Sequence, residues 1–266
     1  MTIRQRNYII TLGLVLTLFL SLLFIFHIIK IINESPYRPL ISFIQDSSPS
    51  GAVAIFPVFS QVFYSITSGF LLHFFFRKTK SIEIFFFILF IFSLSFDSLK
   101  TYLIFHELAQ KPVYLGIFVT RVIITMKLFG VFCLLASSLF PFSTKIQRAE
   151  IVIGISLLAA ITLASLIPID GSTLSSWLVY SVGNKEIFIA FCLSLEIITI
   201  ASYFLLSYKS NNNEFRLMAL SLILVITGRE LLFYSFGLIF SLAGFFLLSF
   251  GTVVFAKRTH SVYLWL

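Results

Sequence analysis

The chain carries very little charge for its length. Only 11% of its 266 residues are Asp, Glu, Lys or Arg, whereas a soluble domain is about 25% charged. With 59% hydrophobic residues and a mean hydropathy of +1.03, it lacks the polar side chains that a soluble surface needs. This shortage argues against a soluble protein and indicates that the lipid bilayer is its solvent, where helices satisfy their own backbone groups.

Cysteine and the common catalytic motifs are also scarce. Cys133 and Cys192 are the only two cysteines, and both lie in apolar runs, which argues against disulfides and a cysteine-based metal site. The four histidines are not spaced as metal ligands, and the chain has no HExxH, GxSxG, Walker or GxGxxG motif. We therefore expect no metal, no cofactor and no catalytic residues, and we favour a protein that is not an enzyme.

What the chain has instead is a series of apolar runs of about twenty residues or more, the length that a bilayer core of about 30 Å requires. They predict an all-α integral membrane protein, a single polytopic bundle of about eight transmembrane helices over residues 1–266. The basic start "MTIRQRN" resembles a signal peptide, but no cleavage pattern follows, so we expect an uncleaved anchor. The predicted spans lie near 8–30, 52–76, 82–105, 113–140, 150–168, 187–207, 217–235 and 238–256.

The last two spans share one apolar run that is interrupted only at "YSFG". A single helix of about forty residues would be about 60 Å long, twice the thickness of the bilayer core. We therefore predict a tight turn at 235–237, and seven spans is the alternative. A four-plus-four internal repeat, 1–148 and 149–266, is a further hypothesis, because spans three and seven both carry paired charges followed by a tyrosine, in "DSLKTY" and "RELLFY". Chance similarity among apolar helices is the alternative.

Basic residues are distributed unequally between the two sets of span ends. Because cytoplasmic ends carry the excess of Lys and Arg, the more basic set should be cytoplasmic, with both termini inside. This asymmetry also explains the net charge of +8 without a nucleic-acid partner. The eleven basic residues of the first set are Arg4, Arg6, Arg77, Lys78, Lys80, Lys145, Arg148, Lys209, Arg216, Lys257 and Arg258, against Lys30, Arg38, Lys111 and Lys185 at the opposite ends.

Several charges lie inside the predicted spans, where a lipid-facing charge costs at least about 2.5 kcal/mol. Each should face the protein interior, whereas Lys100 and Glu107 lie closer to an interface that their side chains can reach. Counting about 1.5 Å per residue places most of these charges at one level in the outer half, together with Gln61. Arg229 should pair with Glu196, whose depth agrees best. The predicted ligand-binding residues are Gln61, Asp97, Arg121, Lys127, Glu196, Arg229, Glu230 and Tyr234.

Helical spacing assigns these residues to faces and suggests an arrangement of the spans. Spans two, three, four, six and seven should surround a polar centre, with one, five and eight outside. In span four Arg121 aligns with Thr125, and in span seven Glu230 aligns with Thr227 and Tyr234. Span six carries a polar stripe on one face, formed by Cys192, Glu196, Thr199 and Tyr203. Arg229 and Glu230 point about 100° apart on one helix, so together they can contact two neighbouring helices.

The function that these features favour is binding or transport of a small charged solute or ion at an intramembrane site open to the outside. One alternative is a sensor or accessory subunit that signals through a partner membrane protein, and another is an enzyme acting on a lipid headgroup. The charges could also be purely structural and fix the helix register. The partners we expect are the lipid bilayer, the solute and a membrane protein, with the chain in the cytoplasmic (inner) membrane of a bacterium.

The predicted orientation can be tested with single cysteines. Substitutions Thr79→Cys and Asn212→Cys should be protected from an impermeant thiol reagent in intact cells, because both lie at the basic set of span ends. Ser48→Cys and Ser175→Cys should react, because they lie in the opposite loops. Labelling at position 212 but not at 175 would reverse the orientation.

Overall fold

The computed structural model describes residues 2–33, 51–77, 81–108, 112–142, 148–175, 177–234 and 237–264. Eight helical segments in these ranges are long and apolar enough to cross a membrane, so the prediction of an integral membrane protein built as a helical bundle is confirmed. The spans, numbered one to eight along the chain, are Ile3–Asn33, Gly51–Phe76, Ile82–Leu94 continued by Leu99–Leu108, Val113–Leu139, Ala149–Leu166, Lys185–Ser210, Asn213–Tyr234 and Leu238–Leu264.

The apolar run shared by the last two spans is divided where the sequence indicated. Span seven ends at Tyr234 and span eight begins at Leu238, which confirms eight spans rather than seven. Of the predicted turn, Gly237 is described, whereas residues 235 and 236 lie outside the described residues. The loop between spans one and two, 34–50, also lies outside them.

Consecutive spans run antiparallel, and contacts between their ends define two ends of the bundle. At the basic end, where span one begins, Arg6 donates to the carbonyls of Phe76 and Arg77 at the close of span two, both over 3.3 Å. The opposite end carries a two-stranded antiparallel hairpin, β1 Ile169–Leu174 and β2 Tyr180–Val182, and we call it the hairpin end. The sequence analysis did not predict these strands.

Span three is the central helix of the bundle. In the most apolar stretch of 18 residues of this span, 83% of the residues are buried. The corresponding fractions for spans two, four and seven are 50, 61 and 56%. Spans one, five and eight are outer helices, as predicted, with 33, 22 and 33% buried. Span six is also only 33% buried, although it lies at the polar centre as predicted. It contributes one inward stripe of polar side chains, and the predicted members of that stripe are buried: Cys192, Glu196, Thr199 and Tyr203.

Span three contains a 3₁₀ turn at Ser95–Ser98, although no proline or glycine interrupts it. The hydroxyls of Ser93, Ser95 and Thr101 each donate to the carbonyl three residues earlier, over 2.7, 2.7 and 2.6 Å. Such bonds compete with the regular helical ladder and favour a local distortion. Ser65 of span two donates to the carbonyl of Ile91 over 2.8 Å, and this bond attaches span two beside the turn.

Spans seven and eight touch backbone to backbone at glycines, which generates a stability prediction. A Cβ at Gly228 would lie 2.5 Å from the nitrogen of Leu248 and 2.7 Å from the carbonyl oxygen of Gly244. Because backbone atoms cannot move aside cheaply, Gly228→Ala should destabilise the protein by about 1–3 kcal/mol, as overpacking does. Gly154→Ala is the matched control, since nothing lies within 4 Å of its Cβ position.

Thermal unfolding can be followed with a thiol-reactive dye, because both Cys133 and Cys192 are buried until the protein unfolds. Gly228→Ala should lower the Tm, and Gly154→Ala should leave it unchanged. Equal Tm values for the two variants would contradict the close packing of spans seven and eight.

Candidate functional site

The predicted pairing of Arg229 with Glu196 is present in the structure. Nη1 of Arg229 lies 2.9 Å from Oε1 of Glu196, and both side chains are 1% exposed. Nη2 of the same guanidinium donates to the carbonyl of Lys127 over 2.8 Å. One buried arginine therefore connects spans four, six and seven.

Glu230 belongs to the same group of charges. Its Oε2 accepts from Nζ of Lys127 over 2.9 Å, and its Oε1 lies 3.4 Å from Nη1 of Arg229. Arg229 thus stands between two carboxylates, on spans six and seven. The adjacent charges at 229 and 230 are compatible with an apolar helix because each reaches a partner on a neighbouring span.

Lys100 is buried, which corrects the expectation that it would reach the membrane interface. Only 2% of it is exposed, and its Nζ lies 3.3 Å from Oδ2 of Asp97. The nitrogens of Lys100 and Lys127 each lie 3.7 Å from the ring centroid of Phe233. An aromatic face attracts a desolvated ammonium group, so Phe233 stabilises both lysines. Nothing in the sequence distinguished this ring among 34 phenylalanines.

Arg121 does not join the other charges, and its predicted place among them is wrong. Its side chain is exposed, whereas span four buries Thr120, Ile124 and Lys127. Six residues correspond to about 120° around a helix, so Arg121 points away from the face that carries Lys127. The depth estimate alone could not reveal this. We define the charge network as Asp97, Lys100, Lys127, Glu196, Arg229 and Glu230.

Gln61 and Tyr234, the other two predicted residues, lie beside this network. Gln61 is 1% exposed and precedes Ser65 by one helical turn, so it faces span three near the 3₁₀ turn. Neither atom of its amide group has a hydrogen-bond partner among the described residues. The ring of Tyr234 lies 4.0 Å from Nζ of Lys127, and its hydroxyl likewise has no partner within the described ranges.

The hairpin covers the network at its end of the bundle. Trp177, Val179 and Tyr180 pack against Leu103, Ile123 and Phe233, and the Trp177 ring lies 4.6 Å from that of Tyr234. Burial raises the pKa of Tyr180 to about 12, so its hydroxyl remains protonated and donates to Glu107 over 3.0 Å. The hairpin therefore covers the charge network at this end, and whether the site faces the outside stays a prediction.

A cavity of about 620 Å³ lies beside the network, between spans six, seven and eight. Glu230 is the member of the network that lines it, with 17% of its side chain exposed, while the other five side chains are 1–7% exposed. Apart from Glu230, two hydroxyl-bearing residues and a glycine, the wall is apolar. Its lining residues are Leu193, Ile226, Thr227, Glu230, Leu231, Tyr234, Gly237 and Phe240.

Comparisons with protein-family models, curated proteins and solved structures found no match to this chain. Within the described ranges, no group of three or more His, Cys, Asp and Glu side chains is arranged to hold a metal ion. The functional argument therefore depends on the charge network and the adjoining cavity.

The Arg229–Glu196 pair can be measured with a double-mutant cycle. Arg229→Gln and Glu196→Gln should each lower stability, because removing one partner leaves the other buried charge without its closest counter-charge. The double variant should recover part of that loss, with a coupling energy of up to about 2 kcal/mol, as for polar pairs in membranes. Thermal unfolding of the four proteins measures it.

Arg258 and Glu214 provide the matched control for this cycle. They form the same type of pair at 3.4 Å, but their side chains are 36 and 27% exposed, and exposed pairs contribute little. The same two substitutions there should give a coupling near zero. Additive losses at 229 and 196 would show that the buried pair is not energetically coupled.

Proposed function

We propose that this protein binds a lipophilic cation in the cavity between spans six, seven and eight, with Glu230 as the counter-charge. The observation that carries the proposal is the position of Glu230, which belongs to a buried charge network and whose side chain, 17% exposed, lines an otherwise apolar cavity wall. Intramembrane ionisable residues usually mark functional sites. A cavity of about 620 Å³ also lies within the range of small-molecule sites, about 300–1,000 Å³.

The sign of the ligand's charge follows from which groups face the cavity. Lys127 and Arg229 are each 1% exposed and lie behind Glu230, so an occupant meets the carboxylate first. Oε1 of Glu230 is buried and lies 3.4 Å from Nη1 of Arg229, and it accepts no hydrogen bond from any described residue. The rings of Tyr234 and Phe240 line the same cavity, and aromatic faces attract cations.

The apolar wall selects the body of the ligand. Leu193, Ile226 and Leu231 offer no hydrogen bonds to replace the water shell of a small ion, so a hydrated inorganic cation would be poorly solvated there. A molecule with an apolar body gains by burying it, by about 25 cal/mol for each Å² removed from water. Such molecules concentrate in the bilayer, from which a cavity between spans can be entered sideways.

We also propose the orientation and the membrane that the sequence indicates. The basic end would face the cytoplasm, with both termini inside, in the cytoplasmic membrane of a bacterium. The cavity then lies in the outer half of the bilayer, since Glu230 is one helical turn, about 6 Å, from the end of span seven. Transport, sensing through a partner protein and chemistry on a lipid headgroup would each begin with this binding step.

Two ions of matched shape and opposite charge test the proposal. Tetraphenylphosphonium should bind the purified protein in lipid nanodiscs, and tetraphenylborate should bind no better than to empty nanodiscs. Equilibrium dialysis with radiolabelled ions measures both. Equal binding of the two ions above the empty-nanodisc background would show an apolar cavity without charge selectivity and would refute the assignment of Glu230.

The variant pair Glu230→Gln and Asp97→Asn locates the selectivity. Glu230→Gln keeps the side-chain size and should weaken cation binding at least about tenfold, which is about 1.4 kcal/mol. Asp97→Asn removes a carboxylate of the same network that does not line the cavity, and it should bind within about threefold of the wild type. An equal loss in both variants would indicate a general effect of network charge instead.

A further inference from the structure

Two arginines meet at the basic end of spans one and two, in a region that supplies no acid to pair with them. Spans one, two and eight contain no Asp or Glu. Neither Arg6 of span one nor Arg77 of span two forms an ion pair with a carboxylate of the described residues. Arg258 of span eight, by contrast, pairs with Glu214 of span seven. The positive charge of Arg6 and Arg77 is therefore not neutralised within the described part of the chain.

Hydrogen bonds from span one fix the end of span two at this place. Nη2 of Arg6 donates to the carbonyls of Phe76 and Arg77, both over 3.3 Å, and Nδ2 of Asn7 donates to the carbonyl of Arg77 over 3.0 Å. These carbonyls form the negative end of the dipole of span two, so the bonds cover a charge that would otherwise repel an anion. Arg6 is 7% exposed, and its Nε is buried without a hydrogen-bond partner among the described residues.

The surroundings of the two arginines add to the positive field. Span one begins at this end and has no acidic residue in its first turn, and the N-terminus of a helix favours anions. His73 lies one turn before Arg77 on span two, and the charges of both arginines act on it. The ring of His260 from span eight lies 5.9 Å from that of Phe76. The ligand that this arrangement favours is an anion.

The position of Arg77 on the outer surface of the bundle favours a lipid over a free anion. Arg77 is exposed, and its guanidinium carbon lies 5.5 Å from the ring centroid of Phe74, which is itself 64% exposed. Phe70, 46% exposed, shares this face of span two, and the three residues extend over about 10.5 Å of the helix. A molecule with an anionic head at Arg77 can lay an apolar chain along the two rings, whereas free phosphate gains nothing from them.

We propose that Arg77 binds the phosphate group of an anionic phospholipid in the leaflet at the basic end, with the acyl chains along Phe74 and Phe70. Arg6 is a positioning residue, because it fixes the end of span two and places a second positive charge behind Arg77. A zwitterionic phospholipid would bring a positive group of its own to this cluster, so a headgroup of net negative charge is preferred. The site is separate from the cavity at Glu230 and does not depend on the proposed function.

Native mass spectrometry of the purified protein in detergent measures the preference for an anionic headgroup. Phosphatidylglycerol should bind at least about tenfold more tightly than phosphatidylcholine with the same acyl chains, because each basic residue near an anionic headgroup adds to binding. Equal affinities for the two lipids would overturn the proposal.

Two exposed arginines at the same end of the bundle locate the site. Arg77→Gln should weaken phosphatidylglycerol binding at least about fivefold. Arg216→Gln is the matched control, because Arg216 is exposed at the start of span seven and forms no ion pair within the described residues. It should bind the lipid as the wild type does. Equal losses in both variants would show a general attraction to the basic end and would overturn the site.

Substitutions of Arg6 separate its charge from its structural role. Arg6→Lys keeps the positive charge behind Arg77 and should retain the preference for phosphatidylglycerol over phosphatidylcholine, whereas Arg6→Gln should reduce it. A merely structural residue would change the binding of both lipids alike. An unchanged preference in a folded Arg6→Gln protein would overturn the electrostatic role of Arg6. If neither variant folds, Arg77→Gln and Arg216→Gln still decide the site.

Inorganic phosphate distinguishes the lipid from its headgroup. At the same concentration as phosphatidylglycerol it should not displace the bound lipid, because it has no acyl chain to place against Phe74 and Phe70. Displacement by inorganic phosphate under these conditions would show a site for a free anion and would overturn the assignment of a phospholipid.

Discussion

A guanidinium group in the middle of a membrane protein must find its acceptors within the protein. Arg229 is 1% exposed in span seven, and it is satisfied by Glu196, by the carbonyl of Lys127 and by the nearby carboxylate of Glu230. Because these partners lie on spans four, six and seven, the arginine fixes their rotation and depth together. An apolar contact could slide along a helix, whereas these bonds hold only in one arrangement.

The remaining charges are placed by the same requirement. The backbone carbonyl of Lys127 accepts a hydrogen bond from Arg229, and its ammonium group pairs with Glu230. One residue therefore neutralises a carboxylate and also supplies an acceptor for the guanidinium group. Lys100 joins the set across the ring of Phe233, with Asp97 as its counter-ion. The charged side chains of the network thus lie together in the hairpin half of the bundle. Trp177 and Tyr180 of the hairpin pack against Phe233 beside them. Glu230 is the member of the network that lines the cavity between spans six, seven and eight, where we propose that the ligand binds.

Much of the fold could be predicted from the sequence because membrane insertion depends on the length and summed hydrophobicity of each apolar run. Apolar runs of sufficient length gave all eight spans, and the interruption at "YSFG" correctly separated the last two. Depth within a span also follows from counting residues, and it correctly paired Arg229 with Glu196. The buried stripe of span six was predictable as well, because its polar residues recur at helical spacing. The orientation and the four-plus-four repeat stay predictions.

The sequence by itself thus determined that lipid surrounds the protein, how many spans it has and roughly how deep Arg229 and Glu196 lie within their spans. The tertiary structure decided which way each charge faces, because the rotation of a helix about its axis is set by its neighbours. Arg121 lies about 9 Å along span four from Lys127, on a side of the helix that faces away from the network. Lys100 is turned inward after a 3₁₀ turn, which adds about 20° per residue and so rotates the following residues by about 80°. The cavity at Glu230 is likewise a property of three packed helices, and no segment of the chain encodes it alone.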